Sequence, residues 1–263
     1  MNIITLITDF GSGDYDVGVL QGVIWGIAPE AKVVNLSHDI DRHNVLQAAL
    51  VLERAVPFFS PGTVHVVVVD PGVGTRRRAL AACLDGQYFV GPDNGLLTPL
   101  FFAARQKSVR IEIVTLDQPL YWLPVVSSIF HGRDVFAPVG AHLANGVSLT
   151  ALGSLISDPC LLEIPQPQAI ETGWRGAVMH IDAFGNLGTN LERQHLPLDA
   201  APQVSLCGET IQGIVRTFGD GEPGQLVALF DSSARLSVCV VNGSAAQRLQ
   251  ARVGDRVEVL NAC

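Results

Sequence analysis

Apolar residues in the first part of the chain fall in short continuous runs separated by stretches of helical periodicity. Ile3 to Ile7 predicts a strand and Asp9-Phe10-Gly11-Ser12-Gly13 a turn, after which Val17, Leu20, Ile24 and Ile27 recur at helical spacing until Pro29. Lys32 to Leu36 predicts a second strand and Asn44 to Ala55 a second helix. Val64-His65-Val66-Val67-Val68-Val69 is a β-branched run suited to a strand buried on both faces. Strand, loop and helix in alternation predict a parallel or mixed sheet covered by helices. Gly18, Gly22 and Gly26 recur every four positions along the first helix and predict a face packed tightly on another backbone.

The texture changes near Leu161. Glu163-Ile164-Pro165-Gln166-Pro167-Gln168 reads as a linker, because alternating prolines cannot carry a helix or a central strand. Beyond it, Gly176 to Ile181, Val204 to Cys207, Thr210 to Val215, Leu226 to Phe230, Leu236 to Val241 and Arg252 to Leu260 are short strand-like runs between Gly, Asn, Asp and Pro turns. The expected architecture is an α/β N-terminal domain, a sheet flanked by helices, over residues 1–163, followed by an all-β, barrel-like C-terminal domain over residues 164–263.

Composition narrows the function. With 48% apolar and 16% charged residues the chain has ample material for buried cores, which excludes intrinsic disorder. A net charge of −8 argues against a polyanionic partner, and the lone cationic cluster, Arg76-Arg77-Arg78, is too small a footprint for nucleic acid. The opening MNIITLITDF has no basic leader and is interrupted by Asp9, so neither a signal peptide nor a membrane span is expected. Five Cys without CxxC spacing suggest reduced thiols in a cytoplasmic protein.

Several polar groups stand out. Asp9 and Asp70 each end an apolar run before a Gly-containing loop, and in open α/β sheets ligands sit beyond the carboxyl ends of strands. Asp9, Asp14 and Asp16 share one loop that suits a ligand hydroxyl pair, an ammonium group or a metal; calcium-loop spacing is not met, and an organic ligand ranks above a metal. His131 precedes an apolar-periodic helix from Val135 to Leu143, with Asp134 read as the helix cap and Arg133 as a surface charge. Asp182-Ala183-Phe184-Gly185-Asn186 offers an aromatic ring and a carboxamide after a strand, fit either to stack on and bond a purine edge or to form a tight turn around a core Phe. No Gly-x-Ser-x-Gly elbow, HExxH or paired CxxC fixes a reaction.

Taken in order and spacing, Thr8-Asp9-Phe10-Gly11, Asp70-Pro71-Gly72-Val73-Gly74-Thr75, Pro92-Asp93-Asn94-Gly95-Leu96, Phe130-His131-Gly132-Arg133-Asp134 and Asp182-Ala183-Phe184-Gly185-Asn186 resemble the S-adenosyl-L-methionine hydroxide adenosyltransferase family. The likeness runs on to Ser244-Ala245-Ala246-Gln247-Arg248-Leu249 and Val253-Gly254-Asp255, and so spans essentially the whole chain. It implies a hydrolase that splits S-adenosylmethionine into adenosine and L-methionine by attack of a water-derived hydroxide on the ribose C5′. It also implies an α/β domain joined to a β-barrel-like one, a homotrimer with active sites between subunits, and no cofactor, S-adenosylmethionine being the substrate.

Carried over residue by residue, the resemblance puts water handling on Asp70, Arg77 and His131, with Arg77 chosen from its run by its seven-residue spacing from Asp70. Asp9 matches the acid that grips the ribose hydroxyls, and Phe130 with Gly132 the wall of the nucleoside pocket. Phe184, Asn186, Phe218 and Asn242 match the adenine side, contributed by the partner subunit. Asp14 matches an acid near the methionine ammonium, and Ser232 and Ser233 would face its carboxylate. Asp16 departs from the family pattern, which has Tyr in hydrolases and Ser in halogenases. The related fluorinase and chlorinase differ at the positions of Asp70, His131 and Gly132, which ranks a halide adenosyltransferase second; a non-catalytic trimer that binds adenosine or S-adenosylmethionine and a metal-dependent hydrolase using the Asp9, Asp14 and Asp16 loop are the minor alternatives.

Overall fold

The computed structural model describes residues 2–196 and 202–260. The chain divides into two compact units, Met1–Glu163 and Ile164–Cys263.

In the first unit β1 (Ile3–Thr8), α1 (Asp16–Ile27), β2 (Lys32–Ser37), α2 (Val45–Ala55), β3 (Val64–Val68), β4 (Ala79–Leu84), β5 (Gln87–Pro92), α3 (Thr98–Gln106), β6 (Ile111–Thr115) and α4 (Ala137–Ala144) follow one another. The sheet order is β2-β1-β3-β5-β4-β6. β2, β1, β3 and β5 run parallel, while β4 is antiparallel to both its neighbours. Successive side chains of a strand point to opposite faces, and both faces of β3 are covered. Val64, Val66 and Val68 pack with Leu20 and Ile24 of α1 and Val139 of α4, whereas Val67 and Val69 pack with Ala48 and Leu52 of α2 and Phe101 of α3. Asn44 caps α2, its Oδ1 accepting the Gln47 N–H at 3.0 Å.

His65 is one of several buried polar residues in this unit. Its Nε2 lies 2.7 Å from Gln87 Oε1 on β5 and its Nδ1 2.7 Å from Thr5 Oγ1 on β1, so one buried ring ties three strands together. The glycine face of α1 is a correction: a Cβ built at Gly18, Gly22 or Gly26 meets nothing within 4 Å, so the tight packing expected there is not made among the described residues.

The second unit comprises β7 (Gln168–Ile170), β8 (Gly173–Ile181), β9 (Leu187–Glu192), β10 (Gln203–Leu206), β11 (Glu209–Gln212), β12 (Leu226–Phe230), β13 (Arg235–Val240), α5 (Ala245–Leu249) and β14 (Arg256–Leu260). Its antiparallel sheet has the order β11-β10-β14-β8-β9-β13-β12, with β7 on β8. The two ends of that path meet where Val215 N–H donates to Ala228 O at 2.9 Å, giving a near-barrel around Val178, Leu191, Val204, Val238 and Val257. No helix among the described residues is long and apolar enough to cross a membrane.

Candidate active site

β1 is bordered by β2 on one side and β3 on the other. The helix after β1 covers one face of the sheet and the helix after β2 covers the other. Winding therefore changes sides at β1, which opens a crevice beyond the carboxyl ends of β1 and β3. Asp9 and Asp70 stand there. Asp9 is half-buried, and its Oδ2 accepts the His43 N–H at 2.9 Å.

After Asp70 the chain makes two consecutive tight turns, Val73 N–H to Asp70 O at 3.2 Å and Thr75 N–H to Gly72 O at 3.1 Å. These turn the chain back, so that Arg77, seven residues on, faces Asp70. The guanidinium donates from Nε to Oδ1 at 2.9 Å and to Oδ2 at 3.0 Å, and Nη2 also reaches Oδ2. Nη2 lies 2.7 Å from Nδ1 of His131. Carboxylate, guanidinium and imidazole thus form one hydrogen-bonded chain, floored by the Phe136 ring 5.3 Å beneath the cation. The Arg77 and Asp70 side chains are only 11% and 6% exposed.

The chain fixes the state of His131. A guanidinium has no lone pair, so Arg77 donates and Nδ1 accepts, which leaves the ring proton on Nε2. Burial first, and the Arg77 cation second, hold the His131 pKa below the ordinary imidazole range, so the ring is neutral near pH 7. Arg76 is exposed, and Arg78 pairs with Asp93 at 2.7 Å and Asp158 at 2.8 Å.

His131 opens a single π-helical turn, Gly132–Phe136, that leads into α4. Such turns widen the helix by one residue and recur at functional sites. Here the turn carries Asp134 inward: it is fully buried, paired with Arg133 Nε at 2.6 Å, and accepts the Ser127 N–H at 2.7 Å. The expected helix-capping role for Asp134 and the free surface charge of Arg133 are therefore corrected. Asp134 instead ties the loop before His131 to the turn after it, and Arg133 lies 4.9 Å over the Phe130 ring.

Two close approaches bring the loops together. Gly74 has φ +76°, and a Cβ there would stand 2.5 Å from Ser128 O, so the Asp70 loop rests directly on the segment that ends in His131. A Cβ on Gly132 would come within 2.9 Å of Val68 Cγ1 and 3.5 Å of both Phe10 and Phe130. Phe10 and Phe130 meet edge to face at 5.8 Å. The structure therefore gathers Asp70, Arg77, His131, Phe130 and Gly132 with the Asp9-Phe10 turn. Asp14 stays exposed, bonding only the Tyr15 N–H at 2.7 Å, and Asp16 begins α1 within the electrostatic reach of Arg133. Among the described residues no group of three or more His, Cys, Asp or Glu side chains is arranged to hold a metal ion.

In the second unit the Phe184 and Asn186 turn is organised by Asp182. Its Oδ1 accepts the N–H groups of Phe184 and Asn186, each at 2.9 Å, and its Oδ2 the Asn186 side-chain amide at 2.8 Å. Phe184 is left 78% exposed, which rejects the core-Phe alternative. The Ala246 N–H donates to Gly185 O at 2.9 Å, so this turn sits beside the one containing Asn242, whose φ is +54°. Phe218, half exposed, lies on a Thr217–Asp220 turn whose neighbour Gly221 abuts Val241. Ser232 and Ser233 occupy the β12–β13 hairpin, where Ser233 bonds Asp231 Oδ1. That hairpin and Asn242 lie beyond opposite ends of β13, a strand about 17 Å long at ~3.4 Å per residue. Sequence reading named Asp134 and Asp182 but missed the bonds each makes, and it missed the Thr8–His38 contact; the Asp-x-Phe spacing that lets an Asp side chain accept the N–H two residues on was the available signal for Asp182.

An open α/β unit with a polar crevice at its switch point, followed by a near-barrel of antiparallel strands, defines a small-molecule-binding architecture with an enzyme-like buried charge chain. The chain belongs to the SAM hydroxide adenosyltransferase family, whose N-terminal domain profile matches residues 4–153 and whose C-terminal domain profile matches residues 176–258. A protein named (R)-S-adenosyl-L-methionine hydrolase from Salinispora tropica is 38% identical over 97% of this chain and 97% of its own length. The solved structure of an uncharacterized conserved protein from Thermotoga maritima superposes with a TM-score of 0.91 at 34% identity, covering 98% of this chain and all of that one. A fluorinase from an Actinoplanes species is more distant, 27% identical over 74% of this chain and 73% of its own.

Proposed function

We propose that this chain hydrolyses (R)-S-adenosyl-L-methionine to adenosine and L-methionine, with Asp70, Arg77 and His131 handling the nucleophilic water. The observation that carries the reading is the continuous hydrogen-bonded chain from Asp70 through Arg77 to His131 beside the Asp9 loop. The sulfonium is already a cationic leaving group. When the water oxygen bonds C5′, the C5′–S electron pair returns to sulfur and leaves a neutral thioether, so no acid is needed on that side. The difficulty lies in the nucleophile, since free water has a pKa of about 15.7. The Arg77 cation and the Nε2–H of His131 stabilise charge developing on the oxygen, and Asp70, the single anion of the three, is the proton acceptor.

Asp9 offers acceptor oxygens to the two ribose hydroxyls, with Phe130 and Gly132 walling the nucleoside. Asp14 and Asp16 stand for the methionine ammonium. Phe184, Asn186, Phe218 and Asn242 supply the adenine side, and Ser232 and Ser233 the carboxylate side, from the second unit of a neighbouring copy in a homotrimer. Exposed Leu120, Val125, Ile129 and Phe184 support assembly, because large apolar side chains left in water gain from being covered. The free thiols of Cys83, Cys160, Cys207 and Cys239 suit a reducing compartment such as the cytoplasm. No cofactor or metal enters the chemistry as written.

The test is incubation with the separated sulfonium epimers in halide-free buffer containing a chelator, followed by chromatography. Adenosine from the R epimer is the expected product. Folded protein that releases none refutes the hydrolase, and 5′-halo-5′-deoxyadenosine as the major product on adding fluoride or chloride converts it to a halide adenosyltransferase. Light scattering, together with recovery of activity on mixing His131→Ala and Asn186→Ala proteins, tests the shared site; no recovery in mixed trimers overturns it.

A further inference from the structure

Asp9 directly follows Thr8, the fully buried last residue of β1. The Thr8 hydroxyl has two partners, accepting the Phe10 N–H at 3.3 Å and lying 3.0 Å from Nδ1 of His38. The hydroxyl oxygen has two lone pairs and one hydrogen, so it accepts the Phe10 N–H and also bonds Nδ1 of a neutral His38 ring in either tautomer. Burial favours the same neutral ring by lowering the His38 pKa, with Asp39 opposing.

His38 also acts through its backbone, since its carbonyl accepts the Gly11 N–H at 2.7 Å. One residue therefore fastens the Thr8–Gly11 turn at two points, on either side of Asp9. Five residues on, the same β2–α2 segment reaches the carboxylate itself: His43, at φ +63°, donates its N–H to Asp9 Oδ2 at 2.9 Å. His38 is only 9% exposed, and its Nε2 has no partner among the described residues, so Thr8 is the only side chain its ring holds there.

We infer that His38 is a positioning residue for Asp9: by hydrogen-bonding the Thr8 hydroxyl through Nδ1 it sets the direction in which the Asp9 carboxylate meets its ligand. The inference rests on the reading of Asp9 as the ribose-binding acid. It predicts that the Nδ1 hydrogen bond, and not the bulk of the ring, is what matters. Asn at this position can place a carboxamide oxygen or nitrogen where Nδ1 stands and so keep the bond in either direction, whereas Leu fills similar space with no hydrogen-bonding group.

The experiment compares His38→Leu, His38→Asn, Thr8→Val, the Thr8→Val/His38→Leu double variant and Asp9→Asn by steady-state kinetics and by calorimetry with adenosine. His38→Leu is expected to raise KM and the adenosine Kd about tenfold, equivalent to about 1.4 kcal/mol, with kcat within about threefold of the parent. His38→Asn should restore both constants to within about threefold. Thr8→Val should match His38→Leu, and the double variant should be no worse than either single one. The inference is overturned if His38→Asn is as impaired as His38→Leu, if the Thr8 and His38 effects add, or if kcat falls while KM holds. Should His38→Leu not fold, Thr8→Val and His38→Asn still decide the question. Asp9→Asn separates the two levels: unchanged adenosine affinity there defeats the ribose reading, whereas weakened affinity there with normal affinity in His38→Leu and Thr8→Val defeats only the positioning role.

Discussion

Arg77→Met removes the centre of the buried charge chain while keeping an unbranched stem over Phe136. Asp70, with a side chain 6% exposed, then keeps its charge and loses its bidentate partner. Breaking a buried pair in this way costs about 3–5 kcal/mol, and at about 2–4 °C per kcal/mol for a unit of this size the melting temperature should fall by about 6–20 °C. Asp70→Asn/Arg77→Met removes both charges and should recover most of that loss, because the isolated carboxylate was the source of it. Activity should not recover. A single aimed donor is worth about 10²–10³ in kcat, and both variants lack Arg77, so each should lose at least that factor in adenosine release. The assay pairs thermal unfolding with chromatographic turnover on the same preparations. If the double variant melts no higher than Arg77→Met, the buried-pair argument is wrong. If folded Arg77→Met turns over within threefold of the parent, Arg77 has no part in catalysis.

Two further outcomes follow from the geometry. His131 and His65 both have pKa values lowered by burial, so the folded chain holds fewer protons than the unfolded one below about pH 6.5; stability is complete above that pH and falls as acid is added, and kcat/KM should decline as His131 takes up a proton. A melting temperature that rises between pH 7.5 and 5.5 would contradict this. Gly74→Ala drives a Cβ against Ser128 O and strains a φ of +76°, and displacing the catalytic loops by about 1 Å should lower kcat about 100-fold. Gly62→Ala, at φ +88° with nothing within 4 Å, carries similar backbone strain away from any clash and should retain turnover.

Strands rich in β-branched residues were legible from sequence, as the run through Val64 and Val69 shows. β4 and β5 were not named because Ala79–Leu84 and Gln87–Pro92 lack that signature, although Asp85 and Gly86, at φ +49° and +75°, form the two-residue hairpin turn that an Asp-Gly pair announces. Asp9 and Asp70 could be picked out by position, since each ends a buried strand. The link between Arg77 and His131 could not, because 54 residues separate them and only the family motifs put them on one page. Asp134 misled for a local reason. One π-helical turn shifts the helix start to Ala137 and rotates the carboxylate inward, and no periodicity in five residues announces it. The glycine face of α1 had spacing but no partner among the described residues to receive it.

The seat of Gly74 on Ser128, reinforced by the Arg77–His131 bond, has a mechanical consequence. The segments around residues 70–78 and 127–134 cannot breathe independently; one shifts only if the other does. Amide hydrogen exchange should accordingly find both segments opening as a single event with a shared protection, so that water reaches all three polar groups together or none of them.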